Sequence, residues 1–191
     1  IPETNVYKHP ILEKLSAVSI LLFVLSQLVN PYHIVTGLIA VFAFIVHTLR
    51  FLLWKPLNSR STPILFILYL GYLWLPIGFL LYFLSSLNLV PINISAHAFA
   101  IGLIGILILG MVNRVTLGHT GRVIHANKTM ILAYISINIA VLLRLGLAIF
   151  IPKYTLLGVQ LAGILWGLSF LLLFIEICPL LLKSRPDGRD G

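Results

Sequence analysis

Residues 33–54 read HIVTGLIAVFAFIVHTLRFLLW, 22 consecutive positions that carry a single charge, Arg50. At 1.5 Å per residue a helix of this length covers about 33 Å, enough to cross the ~30 Å hydrocarbon layer of a bilayer. Projected at 100° per residue, His33, Thr36, Ala40, Ala43, His47, Arg50 and Trp54 fall on one stripe, with leucine, isoleucine and phenylalanine elsewhere. In a water-soluble helix the polar stripe faces out. Here the polar stripe is the minority face and the aliphatic face the larger one, which places the stripe in a bundle interior and the rest against lipid.

Five more apolar runs flank this one, at about 11–29, 64–87, 95–117, 129–151 and 156–178. The first is long enough only if it includes Pro10–Lys14, whose long side chains can snorkel outward. Turn-forming residues break the runs: Asn30-Pro31, Asn58 to Pro63, Pro91, Gly118 to Gly121 and Ile151-Pro152. No ten-residue alternation marks barrel strands, so the spans are helices, with Pro76 and Gly78 bending the third. The whole composition agrees. Hydrophobic residues make up 60% of the 191 and charged residues 9%, against roughly 25% charged in soluble domains, with a mean hydropathy of +1.08. A soluble enzyme, a disordered chain and a disulfide scaffold are excluded, the last also because Cys178 is the single cysteine. The expected architecture is one all-α integral membrane domain over 1–191, a six-helix transmembrane bundle with a cytoplasmic tail at 179–191. No signal-peptide pattern opens the chain, and with Ile1 first and only Met111 and Met130 present, it reads as a processed or partial product.

The formal net charge is +8. In a soluble protein this would hint at nucleic acid; here no nucleic-acid partner is expected, because basic residues collect in cytoplasmic loops. Alternating six spans puts Lys8, Lys14, Arg50, Lys55, Arg60, Arg114, Arg122, Lys128, Lys183, Arg185 and Arg189 on one side and Lys153 alone on the other. Both termini are therefore expected in the cytoplasm, with short outer connections and the bilayer as the main partner.

Ionisable groups at membrane depth cost several kcal/mol and point to chemistry. His47, in the inner half of the second span, is either a ligand to haem or a metal or a hydrogen-bonded interior histidine; His33 is either a ligand or simply wet at the outer surface. The fourth span opens with Ser95-Ala-His-Ala98, and Ala98, Gly102, Gly105, Asn113 and Thr116 share a face that would admit a neighbouring helix or a flat macrocycle beside His97. Arg114, His119 and Arg122 bracket a Gly118-to-Gly121 turn that could hold an anion such as a haem propionate, or could be an ordinary basic loop. Arg144 lies about 10 Å inside the fifth span, where no Asp or Glu of this chain shares its level, so a cofactor carboxylate, water or a partner must meet it. Gly163 to Gly167 with Gln160 reads as a helix-packing seam. No nucleophile elbow, phosphate loop, HExxH or CxxC motif occurs, and with Met111, Met130 and Cys178 alone a thiolate-rich copper site is disfavoured. Catalytic residues are not legible.

Three segments together resemble the NnrS family of membrane proteins: SAHAFAIG at 95–102 followed by MVNRVTLGHTGR at 111–122, YLGYLWLPIG at 69–78, and the tail RPDGRDG at 185–191, with His47-Thr-Leu-Arg50 and Trp54 also similar. The resemblance runs from about residue 30 to the end. It implies a polytopic protein of the bacterial inner membrane that contains haem and copper and is linked to nitric-oxide metabolism. His97, Arg114, His119, Thr120, Gly121 and Arg122 match the family motif by position, and His47 more weakly. Family members carry about twice as many spans, so the chain corresponds to the second half, and a partner or missing N-terminal half is expected to complete the site.

Two readings follow. One is a haem-binding protein, with copper a further cofactor, acting in nitric-oxide response or respiratory redox chemistry through axial imidazole ligation. The other is a non-catalytic accessory subunit packed against a larger membrane redox or transport complex. Depth constrains the ligands. His47 and His97 lie some 18 Å apart along the membrane normal, so one haem cannot use both. The choices are an outer site at the level of His97 and His33, with Arg144 for a propionate, or an inner site of His47 and His119 with Arg114 and Arg122.

Overall fold

The computed structural model describes residues 9–31, 33–186 and 188. Among them are six helices long and apolar enough to cross a membrane and no strand: α1 (Pro10–Val29), α2 (Ile34–Leu53), α3 (Pro63–Ser86), α4 (Ile94–His119), α5 (Lys128–Phe150) and α6 (Thr155–Leu182). The basic residues Lys8 and Arg189, and the tail residues Asp187 and 190–191, lie outside the described residues. Local chemistry sets the boundaries. Prolines open α1 and α3 at positions whose N–H has no intrahelical partner anyway. Asn127 caps α5 by accepting the amide of Met130, and His33 caps α2 through Nδ1 from the amide of Val35 at 3.3 Å. The last helix continues past Cys178 through Pro179 to Leu182.

Short connections make successive helices antiparallel neighbours. One core joins α3, α4, α5 and α6 around Ile67, Ile106, Leu109, Ile137 and Val141. A smaller aromatic one joins α1, α2 and α3, where Phe23 meets Phe79 and Tyr82 edge-on at 5.0 and 4.9 Å, beside Ala40 and Ala43. The distribution is inside-out relative to a soluble protein. Ser19, Asn113 and Ser169 are fully buried, while Leu28, Val29, Ile164 and Phe174 are exposed. Lipid offers no hydrophobic reason for helices to associate, so close packing and interior hydrogen bonds must hold the bundle together.

The α3–α4 seam shows how. A Cβ on Gly102 would sit 2.5 Å from Cγ of Trp74, and one on Gly110 would sit 2.8 Å from Ile67 and Leu68. Only glycine lets the two backbones approach this closely. At Gly102 the small face of the fourth span, which the sequence left open to a helix or a macrocycle, is therefore filled by the Trp74 indole, while Gly105 lies beside Ile137 and Asn113 bonds Tyr134, both on α5.

The helix α4 is not regular. Residues Ala98–Gly105 form a π-helical stretch between α-helical turns at Ile94–His97 and from Ile106 onward. A π turn inserts extra residues into the ladder, so side chains before and after it sit on faces offset from a 100° projection. His97, immediately before this stretch, meets Arg144 of α5.

Candidate functional site

Two polar centres lie within the bundle, one toward the end where α1 begins and one toward the end where α4 begins, called inner and outer for those positions. The inner one begins on α1. Glu13, Ser16 and Ser19 recur every three residues and so share a face. Glu13 accepts two hydrogen bonds from Arg50 of α2, Nε to Oε1 at 2.9 Å and Nη2 to Oε2 at 2.6 Å, the bidentate geometry that suits guanidinium and carboxylate. Arg50 also lies over the Trp54 ring at 4.5 Å and donates from Nη1 to the Tyr72 hydroxyl at 3.2 Å. The Tyr72 hydroxyl meets His47 Nδ1 at 2.7 Å, and His47 Nε2 meets Ser19 Oγ at 3.4 Å. Ser19 donates its own proton to the Ser16 carbonyl at 2.9 Å.

These contacts have one consistent direction. With its proton committed to Ser16, the Ser19 oxygen can only accept, so His47 carries its hydrogen on Nε2. Nδ1 then accepts from Tyr72, whose oxygen accepts from Arg50. The chain runs from Arg50 through Tyr72 and His47 to Ser19 and the Ser16 carbonyl. His47 is 1% exposed, stacks on Phe79 at 5.7 Å, and has both ring nitrogens engaged. Of the two alternatives the sequence left for it, the geometry is that of a hydrogen-bonded interior histidine.

The outer centre has two residues. His97, half-buried on α4, lies against the carbonyl of Asn93 through Nδ1 at 2.8 Å, which makes Nδ1 the protonated nitrogen. Its Nε2 lone pair receives Nη2 of Arg144 at 3.1 Å. Arg144 is 8% exposed and lies six residues, about 9 Å along the axis, before the end of α5. The described carboxylates are elsewhere: Glu13 is paired with Arg50 and Glu176 is bonded to Asn127. Arg144 thus has a neutral imidazole for a neighbour and no described counter-ion. The sequence expected a cofactor carboxylate, water or partner at Arg144; the structure adds that His97 is its companion.

The remaining candidates are scattered. His33 is an exposed helix cap. His119 is exposed at the end of α4, and its carbonyl accepts from Arg185 at 2.7 Å. Gly121 takes a positive φ of 68° that turns the chain, and Arg122 donates to the carbonyls of Thr120 at 3.2 Å and Leu180 at 3.4 Å, tying this turn to the end of α6. Arg114 stands half-buried on α4. His47 and His119 are not joined by any contact among the described residues, and no group of three or more His, Cys, Asp or Glu able to hold a metal occurs among them.

Glu13, Tyr72 and Ser19 were not singled out from sequence. Glu13 carried a usable signal, an acid at the mouth of an otherwise apolar span with two serines below it on one face. Tyr72 carried none, because one tyrosine in an aromatic-rich helix reads as packing.

These residues fit an attached cofactor only in part. His97 can offer a neutral imidazole nitrogen and Arg144 a charge for a carboxylate, side by side at the outer surface. No group of three or more His, Cys, Asp or Glu includes them among the described residues, and Trp74 closes the small face at Gly102. No curated protein and no solved structure matches the chain. A family model does, the NnrS protein model, over residues 1–185, which contains all six helices and both polar centres. The chain is a multi-pass membrane protein that belongs to the NnrS family.

Proposed function

We propose that this protein is a haem-binding membrane protein of nitric-oxide response or nitric-oxide-linked respiratory chemistry, with His97 as an axial ligand at the outer face. The observation that carries this reading is the pairing of a neutral imidazole with a buried arginine that lacks a described counter-ion. Family membership supports the link to nitric oxide. Iron would take the Nε2 lone pair now facing Arg144, and a propionate would take the guanidinium so released. The second wall of the site would come from a partner or from further spans, since α3 and α4 leave no slot between them. Copper, if bound, would also need ligands from outside the described residues. His47, His119, His33, Arg114 and Arg122 are not members of this site.

The test is a visible spectrum of the purified protein with bound haem quantified. His97→Ala should lose at least nine-tenths of the haem, while His47→Ala that still folds should keep it. A colourless, well-folded wild-type preparation, or full retention by His97→Ala, overturns the reading in favour of an accessory subunit of a larger membrane redox or transport complex. The lopsided distribution of basic residues supports termini in the cytoplasm of a bacterial inner membrane. A cysteine placed at Asn93 should then react with an impermeant maleimide from outside and one at Ser61 should not; the reverse result inverts the orientation.

A further inference from the structure

The connection between α2 and α3 carries two cations with no assigned task. Lys55 and Arg60 make no side-chain hydrogen bond or ion pair among the described residues. Lys55 also holds a left-handed backbone, φ 50° and ψ 57°, where glycine would be cheaper.

Three hollows meet at this connection. A cleft of about 320 Å³ runs between α3 and α5, walled by Phe66, Leu70, Ile131, Ile135 and Leu142 and lined also by Arg60 from the connection. A second of about 500 Å³ lies between α2 and α3, against Phe51, Leu52 and Leu73, and is lined also by Lys55 from the connection. It shares Phe66 and Leu70 with the first, so these two side chains form the ridge between the clefts. A third, polar hollow of about 520 Å³ lies at the connection itself, formed by Leu57, Asn58, Arg60 and Ser61. It shares Arg60 with the first cleft and Asn58 with the second.

Two apolar troughs joined by a polar, positively charged head region match the shape of one diacyl phospholipid. Depth agrees. From Pro63, where the first trough starts, to Leu73, where the second ends, α3 rises about 15 Å, the thickness of one leaflet. We propose that this surface is a binding site for a single anionic diacyl phospholipid, its phosphate between Lys55 and Arg60 and its two chains astride the Phe66–Leu70 ridge. Charge complementarity selects an anionic headgroup. The site is separate from His97 and Arg144, so it stands whether or not haem is bound.

Native mass spectrometry tests it on the purified protein in detergent micelles holding equal amounts of palmitoyl-oleoyl phosphatidylglycerol and phosphatidylcholine. Each cation near the surface is worth about fivefold in anionic-lipid binding, so the wild type should prefer phosphatidylglycerol by about thirtyfold at a stoichiometry of one. The double variant Lys55→Gly with Arg60→Gln, which leaves the left-handed backbone unstrained, should lose that preference. The double variant Lys55→Arg with Arg60→Lys should keep it, which separates charge from misfolding. Lysophosphatidylglycerol, with one chain, should bind at least tenfold more weakly, and excess inorganic phosphate should not displace the lipid. Equal retention of both lipids, displacement by phosphate, unchanged preference in the neutral variant, or a second protein copy in place of lipid each overturns the proposal.

Discussion

His47 and His97 are the same side chain in two settings. In each, hydrogen bonds engage both ring nitrogens, and each has an arginine close by. At His47 the arginine is balanced by Glu13 and its contact with the ring runs through Tyr72. At His97 the arginine bonds the ring directly, at the lone pair a metal would use, and no described carboxylate balances it. A closed hydrogen-bond network rigidifies a membrane bundle, where interior polar contacts replace the missing hydrophobic drive. An open one, with a buried charge left over, is costly in the absence of a ligand and is relieved by one. The availability of a histidine therefore depends on what its neighbours leave undone.

Three substitutions sharpen or break this contrast, read as unfolding free energy or thermal shift in detergent. The largest effect is expected at Glu13→Gln, which strands Arg50 at the inner centre. Both side chains of the pair are roughly a quarter to a third exposed, so the loss should be about 2 kcal/mol, less than for a fully buried pair. An unchanged stability would show that the inner network is not structural. Tyr72→Phe follows, at about 1.5 kcal/mol, because it removes the donor to a buried His47 nitrogen while leaving the ring packing in place. Arg144→Met should carry the opposite sign. In cofactor-free protein it removes an unbalanced buried charge and should gain about 1 kcal/mol, with any haem retention falling. Destabilisation of cofactor-free protein by Arg144→Met would mean that the outer pair is structural like the inner one, and the comparison would collapse.

The residues differ in how readable they were. Arg144 stood out because a single charge in an apolar run is conspicuous at any register, and the absence of an acid at its level follows from counting along the chain. Its contact with His97 did not, because the two are 47 residues apart and the π-helical stretch at Ala98–Gly105 offsets the faces that a regular projection assumes. The small face of α4 was visible as a pattern, but a gap of that shape admits a helix or a macrocycle equally; the Trp74 indole decides between them. His47 with Arg50 was visible as a stripe, yet whether that stripe ligates or merely hydrogen-bonds depended on Tyr72 and Ser19 from two other helices.

What the sequence determined by itself is the part governed by one-dimensional physics. Span number and length follow from apolar runs measured against a fixed bilayer thickness, and helix from the need to satisfy every backbone group within lipid. The ends follow from proline, asparagine and glycine chemistry that acts over a few residues. Family membership was legible too, because the motif at 95–122 is contiguous. Only the tertiary structure decided which polar groups complete one another. A hydrogen bond needs its partner within about 3 Å and at the right angle, and in a six-helix bundle a small rotation of one helix exchanges every partner on its face. For that reason the arginine beside His47 is balanced by a carboxylate while the one beside His97 has no described counter-ion, a difference that the positions of the two histidines along the chain do not reveal.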